Sequence, residues 1–194
     1  MTNVCIIPAR GGSTRIPRKN IKPFLGTPML VRAIQTARAS GLFYEIYVST
    51  EDSEIQRVAV EAGASIIDRP PELAVGEVGT QEVMQHAVKT LGLTGDVSVC
   101  CLYPCTPLLE IADLRSAHAL DHSWAYTIAV SDTHGGDIGW FYFGWANSFR
   151  TAAALWKDRT RVYPIERERA IDINTDADWQ AAEDAYRTMH RSAA

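Results

Sequence analysis

Short apolar runs alternate with amphipathic helical stretches along almost the whole of this 194-residue chain, and that rhythm leaves few architectures open. Strands separated by helices lie side by side in parallel, with the helices covering both faces of the sheet. Residues 4–8 read as the first strand. Thr27 as N-cap and Pro28 in the first turn then open a helix, whose apolar stripe is Met29, Leu30, Ala33, Ile34 and Ala37 and whose stop is Gly41. Residues 45–49 predict a second strand. Asp52 or Ser53 caps a helix with Ile55, Val58, Ala59 and Ala62 inward, Gly63 ends it, and residues 64–68 predict a third strand. Thr80 caps the next helix, with Val83, Met84, Ala87, Val88 and Leu91 on one face. Residues 97–102 are apolar without a break, as in a strand buried on both faces. A helix over 113–121 and strands at 125–130, 138–143, 162–165 and 170–173 follow. Thr175 and Asp178 fit a capping pattern for a last helix with Trp179, Ala182, Tyr186 and Met189 inward. The expectation is a single α/β unit over residues 1–194, with a mainly parallel sheet and its ligand loops at the carboxyl ends of the strands. Those tips are residues 9–22, 49–52, 68–80 and 103–108.

Composition narrows the class. Hydrophobic residues make up 46% and charged residues 22%, the mix of a globular domain large enough to need no disulfide or metal staple. No apolar run approaches the ~18 residues of a spanning helix, and the first residues lack the pattern of a secretory signal. Cys5, Cys100, Cys101 and Cys105 form no CxxC pair or zinc spacing. They read as reduced, buried thiols, with Cys100 and Cys101 on opposite faces of a strand, which favours a cytoplasmic location. His118 and His122 have helical i, i+4 spacing but lack an apparent third metal ligand, so they read as helix-end residues.

Net charge is −4, yet the first 44 residues hold seven Arg or Lys and no Asp or Glu. A basic segment on an acidic body points to an anionic ligand at one site and away from a broad nucleic-acid surface. The sharpest part of that segment is IPARGGSTRIPRKN, residues 7–20, directly after the first strand. Gly11 and Gly12 allow close backbone approach, and amides around Gly12 and Ser13 are expected to form an anion-binding nest. Arg10, Arg15, Arg18, Lys19 and Lys22 supply cations suited to phosphate oxygens. The pattern is neither a Walker A loop nor GxGxxG.

IPARGGS-x-R-IPRKN-IKPF resembles the signature of sugar-acid cytidylyltransferases, the CMP-sialic acid synthetase (acylneuraminate cytidylyltransferase) family. VSTEDSEI, DRPPEL, VCCLYPCTPLL, IGWFYFG and IDINTDADWQAAE resemble later landmarks of that family in the same order, and pseudaminic acid cytidylyltransferases are its most similar branch. The resemblance implies a Rossmann-like nucleotidyltransferase fold and transfer of CMP from CTP to a nonulosonic sugar acid, with pyrophosphate leaving. It implies that Arg10, Ser13 and Lys19 hold the triphosphate, with Gly11 and Gly12 in the same loop. Asn20 and Thr80 fall near the ribose, and Arg69 with the backbone near Ala9 reads cytosine. Asp172, joined by Asn174, falls at a Mg2+ ion, and Arg10, Lys19 and Asp172 carry the catalysis. Tyr103 and Thr106, at a strand end, are candidates to face the sugar. The partners implied are CTP and a sugar acid, with no nucleic acid and no membrane.

Three departures stand out. Asn174 occupies the place of a second family aspartate, Thr14 stands where the family usually has lysine, and the stretch between Val130 and Gly139 is short. That stretch is where family members carry much of the acceptor pocket and dimer contacts. Trp140, Phe141, Tyr142, Phe143 and Trp145 read first as an alternating core strand; any homo-oligomer is expected to differ from the usual family dimer, with exposed Trp and Phe near residues 140–149 as an alternative contact. The departures leave two other readings: a catalytically impaired nucleotide-binding homologue, or a nucleotidyltransferase with a smaller sugar-phosphate acceptor.

Overall fold

The computed structural model describes residues 3–95, 97–120, 125–133, 135–151 and 159–191. Seven strands form one sheet: β1 (Asn3–Pro8), β4 (Glu45–Thr50), β5 (Ser65–Asp68), β6 (Ser98–Leu102), β7 (Tyr126–Ser131), β8 (Asp137–Trp145) and β9 (Thr160–Ile165). Their order is β5-β4-β1-β6-β8-β7-β9. All neighbours are parallel except β8, which runs antiparallel to both β6 and β7. The sheet is thus mostly parallel, as expected of an α/β fold, with one reversed strand.

Two apolar layers sandwich it. One lies under α1 (Met29–Ser40), α2 (Ser53–Glu61), α4 (Ile111–His118) and α6 (Asp176–Arg191), and includes Cys5, Ile7, Cys100 and Phe141. The other lies under α3 (Thr80–Thr90) and α5 (Ala146–Arg150), and includes Ile6, Cys101 and Tyr142. Cys100 and Cys101 do point to opposite faces, because neighbours on a strand alternate.

Several local expectations give way to tertiary partners. Thr27 and Pro28 do not open α1 as a capping pair. They form a short strand, β3, paired antiparallel with β2 (Pro23–Phe24), and α1 begins at Met29 with no side-chain cap. Leu25 and Gly26 both have positive φ, 47° and 86°, as a two-residue hairpin turn requires. Thr80 is the first residue of α3 rather than its cap, and its hydroxyl bonds to Tyr103. The fourth helix spans Ile111–His118, opened by a reciprocal Glu110–Asp113 capping box. His122 lies outside the described residues, and His118 meets the Phe143 ring edge-on at 5.6 Å. Residues 170–173 are not a strand. Trp140 Nε1 donates to the Ile171 carbonyl and Lys19 Nζ to that of Ile173, so side chains hold this backbone where no strand does.

The aromatic stretch is interior. Trp140, Phe141, Phe143 and Phe149 are all buried, so the exposed patch expected near residues 140–149 does not exist, because layers cover both faces of β8. The 3-10 turn at Pro71–Leu73 and helix α5 carry too few residues to show a period in sequence. Among the described residues no helix is long and apolar enough to cross a membrane.

Candidate active site

A cavity of about 280 Å³ opens at the carboxyl ends of β1 and β6. Arg10, Ser13, Arg15, Lys19 and Asn20 from the glycine loop line it, with Arg69, Thr80, Tyr103, Gly139 and Asp172 from elsewhere in the chain. The open end of a doubly wound sheet is where ligands bind in such folds. The structure therefore gathers residues spread over more than 160 positions of sequence into one cleft.

The loop divides its cations. Arg10, Arg15 and Lys19 line the cleft, whereas Arg18 and Lys22 pair with acids. Arg18 sits at φ 55°, in the left-handed region, and its guanidinium grips both oxygens of Asp52 at 2.5 and 2.9 Å and Glu54 at 2.6 Å. Asp52 simultaneously caps α2 by accepting the amides of Glu54 and Ile55, each at 3.0 Å. The Arg18 hydrogen bonds hold the Asp52 carboxyl down at about 2. Lys22 reaches Asp176 at 3.2 Å and lies over the Trp179 ring at 4.4 Å.

Two amides of the glycine turn are taken within the protein, that of Ser13 among those expected in the nest. Gly11 N–H donates to Glu51 Oε1 at 2.7 Å, and Ser13 N–H donates to the Gly11 carbonyl at 3.0 Å. Gly11 is needed for another reason: a Cβ there would overlap the Asp52 carboxylate. Gly11 thus lets the loop lie flat on the turn after β4. Ala9 is fully buried, with its N–H on the Ser49 carbonyl, and Gly12 is exposed; neither lines the cleft. Asn20 is buried and braces the loop by donating to the Arg10 carbonyl at 2.8 Å, while the Cys105 thiol donates to its Oδ1. Desolvation pushes that thiol up to about 12, so Cys105 is a neutral packing group beside the cleft.

Arg69 is 6% exposed and tied to strand β4, with Nη2 on the Ser49 carbonyl at 2.6 Å and Nε on the Ser49 hydroxyl at 3.3 Å. Burial lowers its pKa, and the Glu51 carboxylate opposes that shift. Glu51 was not singled out by the sequence. It anchors Gly11 with one oxygen and keeps its other, Oε2, buried without a hydrogen-bond partner among the described residues. Its signal in the sequence is an acid directly after a strand end that faces the basic loop. Leu73, Val75, Gly76 and Val78 form an apolar wall within the 68–80 tip, which the sequence marks as a ligand loop without singling out these residues.

Asp172 stands exposed at the mouth of the cleft and accepts from Asn174 Nδ2 at 2.6 Å. Asn174 itself does not line the cleft. Thr106 is buried, donates to the Tyr103 carbonyl at 3.1 Å, and lines a separate cavity between α1, α4 and α6. No group of three or more His, Cys, Asp or Glu among the described residues forms a ready metal cage.

Known proteins resemble this chain in sequence and in fold. Residues 4–129 match the family model described as Cytidylyltransferase. Pseudaminic acid cytidylyltransferase of Campylobacter jejuni subsp. jejuni is 31% identical over 233 aligned positions that span 100% of both chains. That alignment is longer than this chain, so the relative carries segments absent here. N-acylneuraminate cytidylyltransferase of Streptococcus agalactiae is 36% identical over 87 residues, 44% of this chain and 21% of that one. Among solved structures, CMP:2-keto-3-deoxy-manno-octonic acid synthetase complexed with CTP superposes with TM-score 0.71 at 13% identity, covering 99% of this chain and 100% of the other. A nucleotidyl transferase from Methanothermobacter gives 0.73 at 16%, covering 97% and 99%. The family match covers residues 4–129 and the relative is 31% identical along the whole chain, and so the chain belongs to the cytidylyltransferase family of nucleotidyltransferase enzymes.

Proposed function

We propose that this enzyme transfers CMP from CTP to a nonulosonic sugar acid of the pseudaminic or sialic type, releasing pyrophosphate, and that residues 1–194 act as one nucleotidyltransferase unit. The observation that carries the reading is the polarity of the cleft: Arg10, Arg15, Lys19 and Arg69 line it, against one carboxylate, Asp172. Four cations suit a triphosphate far better than a neutral or cationic ligand.

In this reading Arg10, Lys19 and the Ser13 hydroxyl hold the phosphates, with Arg15 at the open edge. Lys19 is pinned to the Ile173 carbonyl at 2.7 Å, which places its charge beside Asp172. Arg69, fixed by Ser49, presents its remaining nitrogen to the cytosine ring together with backbone near Ala9, and Thr80 and Asn20 border the ribose. The sugar hydroxyl attacks the α-phosphorus as the bond to the β-phosphate oxygen breaks. The cations keep their places while charge moves toward pyrophosphate, so the site needs little rearrangement. A divalent ion fits the residues present, because one exposed carboxylate beside a triphosphate suffices for magnesium, which retains several waters. Asp172 would hold it, with Asn174 setting that carboxylate's orientation. When bound, the ion would neutralise phosphate charge and stabilise the leaving pyrophosphate. A Mycobacterium tuberculosis protein of this fold, 16% identical with TM-score 0.68, is known as a manganese complex.

The fully buried thiols of Cys5, Cys100 and Cys101 support a reducing compartment, the cytoplasm. The connection from Ser131 to Asp137 is short, which supports an assembly other than the usual family dimer. Light scattering and a structure of the assembly test it; a family-type dimer built from other segments would overturn it. The main test is a pyrophosphate-release panel with each nucleoside triphosphate, magnesium, and either nonulosonic acids or sugar phosphates. Release only with CTP and a nonulosonic acid is expected. Equal or better calorimetric affinity for ATP or GTP than for CTP would overturn the assignment.

A further inference from the structure

The carboxylate at the mouth of the cleft is carried by a segment that has neither strand nor helix to fix it. Residues 166–175 join β9 to α6, and Asp172 stands exposed on them. One residue after Asp172 the segment hangs from Lys19, whose Nζ donates to the Ile173 carbonyl at 2.7 Å. Three residues before Asp172 it is fixed by Arg169. The Arg169 guanidinium grips both oxygens of Asp113, at 2.7 and 3.0 Å, and donates to the Leu108 carbonyl at 3.3 Å. Its Nε also donates to Glu166, in its own segment, at 2.8 Å. Asp113 is only 4% exposed, and its oxygens are otherwise filled by the Glu110 N–H at 2.9 Å and by the Tyr163 hydroxyl, which donates at 3.4 Å.

This is not a loose surface pair. The two-pronged grip fixes direction as well as distance, and a buried carboxylate holds its cation because losing it would strand a charge. Asp113 lies in the first turn of α4, and Leu108 lies between β6 and α4. The same connection gives Tyr103, Pro104 and Cys105 to the cleft. Arg169 thus ties the segment that bears Asp172 to the stretch of chain that walls the cleft beside it. The two pins differ in what a ligand does to them. Lys19 holds phosphate in the function proposed above, so its ammonium is shared with the triphosphate. Arg169 does not line the cleft, so its hold stays the same when the ligand binds. We propose that Arg169, through its grip on Asp113, is a positioning residue that fixes Asp172 for the divalent ion of the CTP complex. The proposal rests on the assignment of Asp172 given above and adds what aims it. Magnesium demands near-ideal geometry, and a single carboxylate has no second one to compensate for its displacement.

Arg169→Met removes the grip. Arg169→Met combined with Asp113→Asn removes it without leaving a charge buried alone, which keeps the test open if the single variant fails to fold. The amide oxygen introduced at 113 still accepts the Glu110 N–H of the helix cap. CTP affinity is measured by calorimetry with magnesium and with a chelator, alongside thermal melting and pyrophosphate release. Magnesium is expected to tighten CTP binding in the wild type. In both variants that factor should fall about ten-fold, as for lost partners of metal ligands, while metal-free CTP affinity stays within about two-fold. Pyrophosphate release at saturating CTP should fall with it. A lowered melting temperature with an unchanged magnesium factor would make the pair purely structural and overturn the proposal, as would an equal loss of metal-free CTP affinity. A wild type whose CTP binding ignores magnesium overturns the assignment of Asp172 in the proposed function, and this inference with it. A wild type that responds to magnesium, beside variants that respond equally, overturns the inference alone.

Discussion

The two walls of the cleft are built by different means. The wall formed by residues 8–103 hangs from parallel strands, and its loops close on backbone: Asn20 on Arg10, Gly11 on Glu51, Arg69 on Ser49. The opposite wall, Gly139 and Asp172, comes from the one antiparallel strand and from a segment without secondary structure, held by the side chains of Lys19 and Trp140. The first wall brings the cations and the second brings the carboxylate. A strong positive site can be preformed where a sheet fixes the loops, whereas the acidic side depends on reach across the cleft from the basic side itself.

The sharpest way to break this comparison is to remove a cation that faces the cleft and one that does not. Arg10→Ala should weaken triphosphate binding by ~1.5–3 kcal/mol, as for a charged hydrogen bond. Arg18→Ala should leave that affinity nearly unchanged, because Arg18 is occupied by Asp52 and Glu54. Calorimetry with CTP reads both. Equal losses would mean that the division of the loop's charges is wrong.

A smaller effect is expected from the Arg18–Asp52 pair itself. Asp52→Ala removes a helix cap and the partner of Arg18, and should cost about 2 kcal/mol of stability by chemical denaturation, with the ion pair discounted for its solvent exposure. The same group gives a pH signature. Its folded pKa of about 2 lies below the ordinary carboxylate value, so its contribution is complete above about pH 4 and fades as pH falls toward 2. The wild type should lose stability across that window more steeply than Asp52→Ala. Parallel curves would show that Arg18 and Asp52 do not stay paired in solution.

The same division of the molecule explains what the sequence makes legible. Strands and helices over residues 3–118 follow from period and caps, since each βαβ step satisfies its own backbone locally: Gly41 at φ 68° and Gly63 at φ 83° end helices as composition suggests. The cleft residues Arg10, Ser13, Lys19, Asn20, Arg69, Thr80, Tyr103 and Asp172 were also legible, through an ordered series of motifs. What escaped depended on partners far away in the chain. Pro28 looks like a helix opener until Phe24 and Thr27 pair across Leu25 and Gly26. Residues 170–173 look like a strand until Lys19 and Trp140 take their carbonyls. The amides around Gly12 and Ser13 look alike as nest donors until the Ser13 N–H turns back to the Gly11 carbonyl. The β8 aromatics were legible as a core strand, but the covering of its second face was not, because the two layers come from helices on both sides of the sheet.

The gentlest probe acts at the acidic wall. Asn174 holds Asp172 by donating to its Oδ2 at 2.6 Å, so in the free enzyme the amide satisfies an oxygen that a metal would otherwise take. Asn174→Asp replaces that donor with a second carboxylate at hydrogen-bond distance. Two like charges so close repel, and a divalent cation relieves the repulsion. Magnesium affinity in the presence of CTP should therefore rise roughly ten-fold, within the range by which neighbours of metal ligands act. The metal-free variant should melt below the wild type, and magnesium with CTP should return more of that loss than the wild type gains. The helix that follows should be unaffected, because Asp178 caps it through the backbone amides of residues 174 and 175. If acceptor transfer rises with metal affinity, the amide alone limits the acidic wall; if CTP and magnesium bind more tightly while transfer stays the same, the limit lies in how the acceptor sugar is held. Unchanged magnesium dependence of CTP binding would remove Asn174 from the metal's surroundings, and the assignment of Asp172 would fall with it.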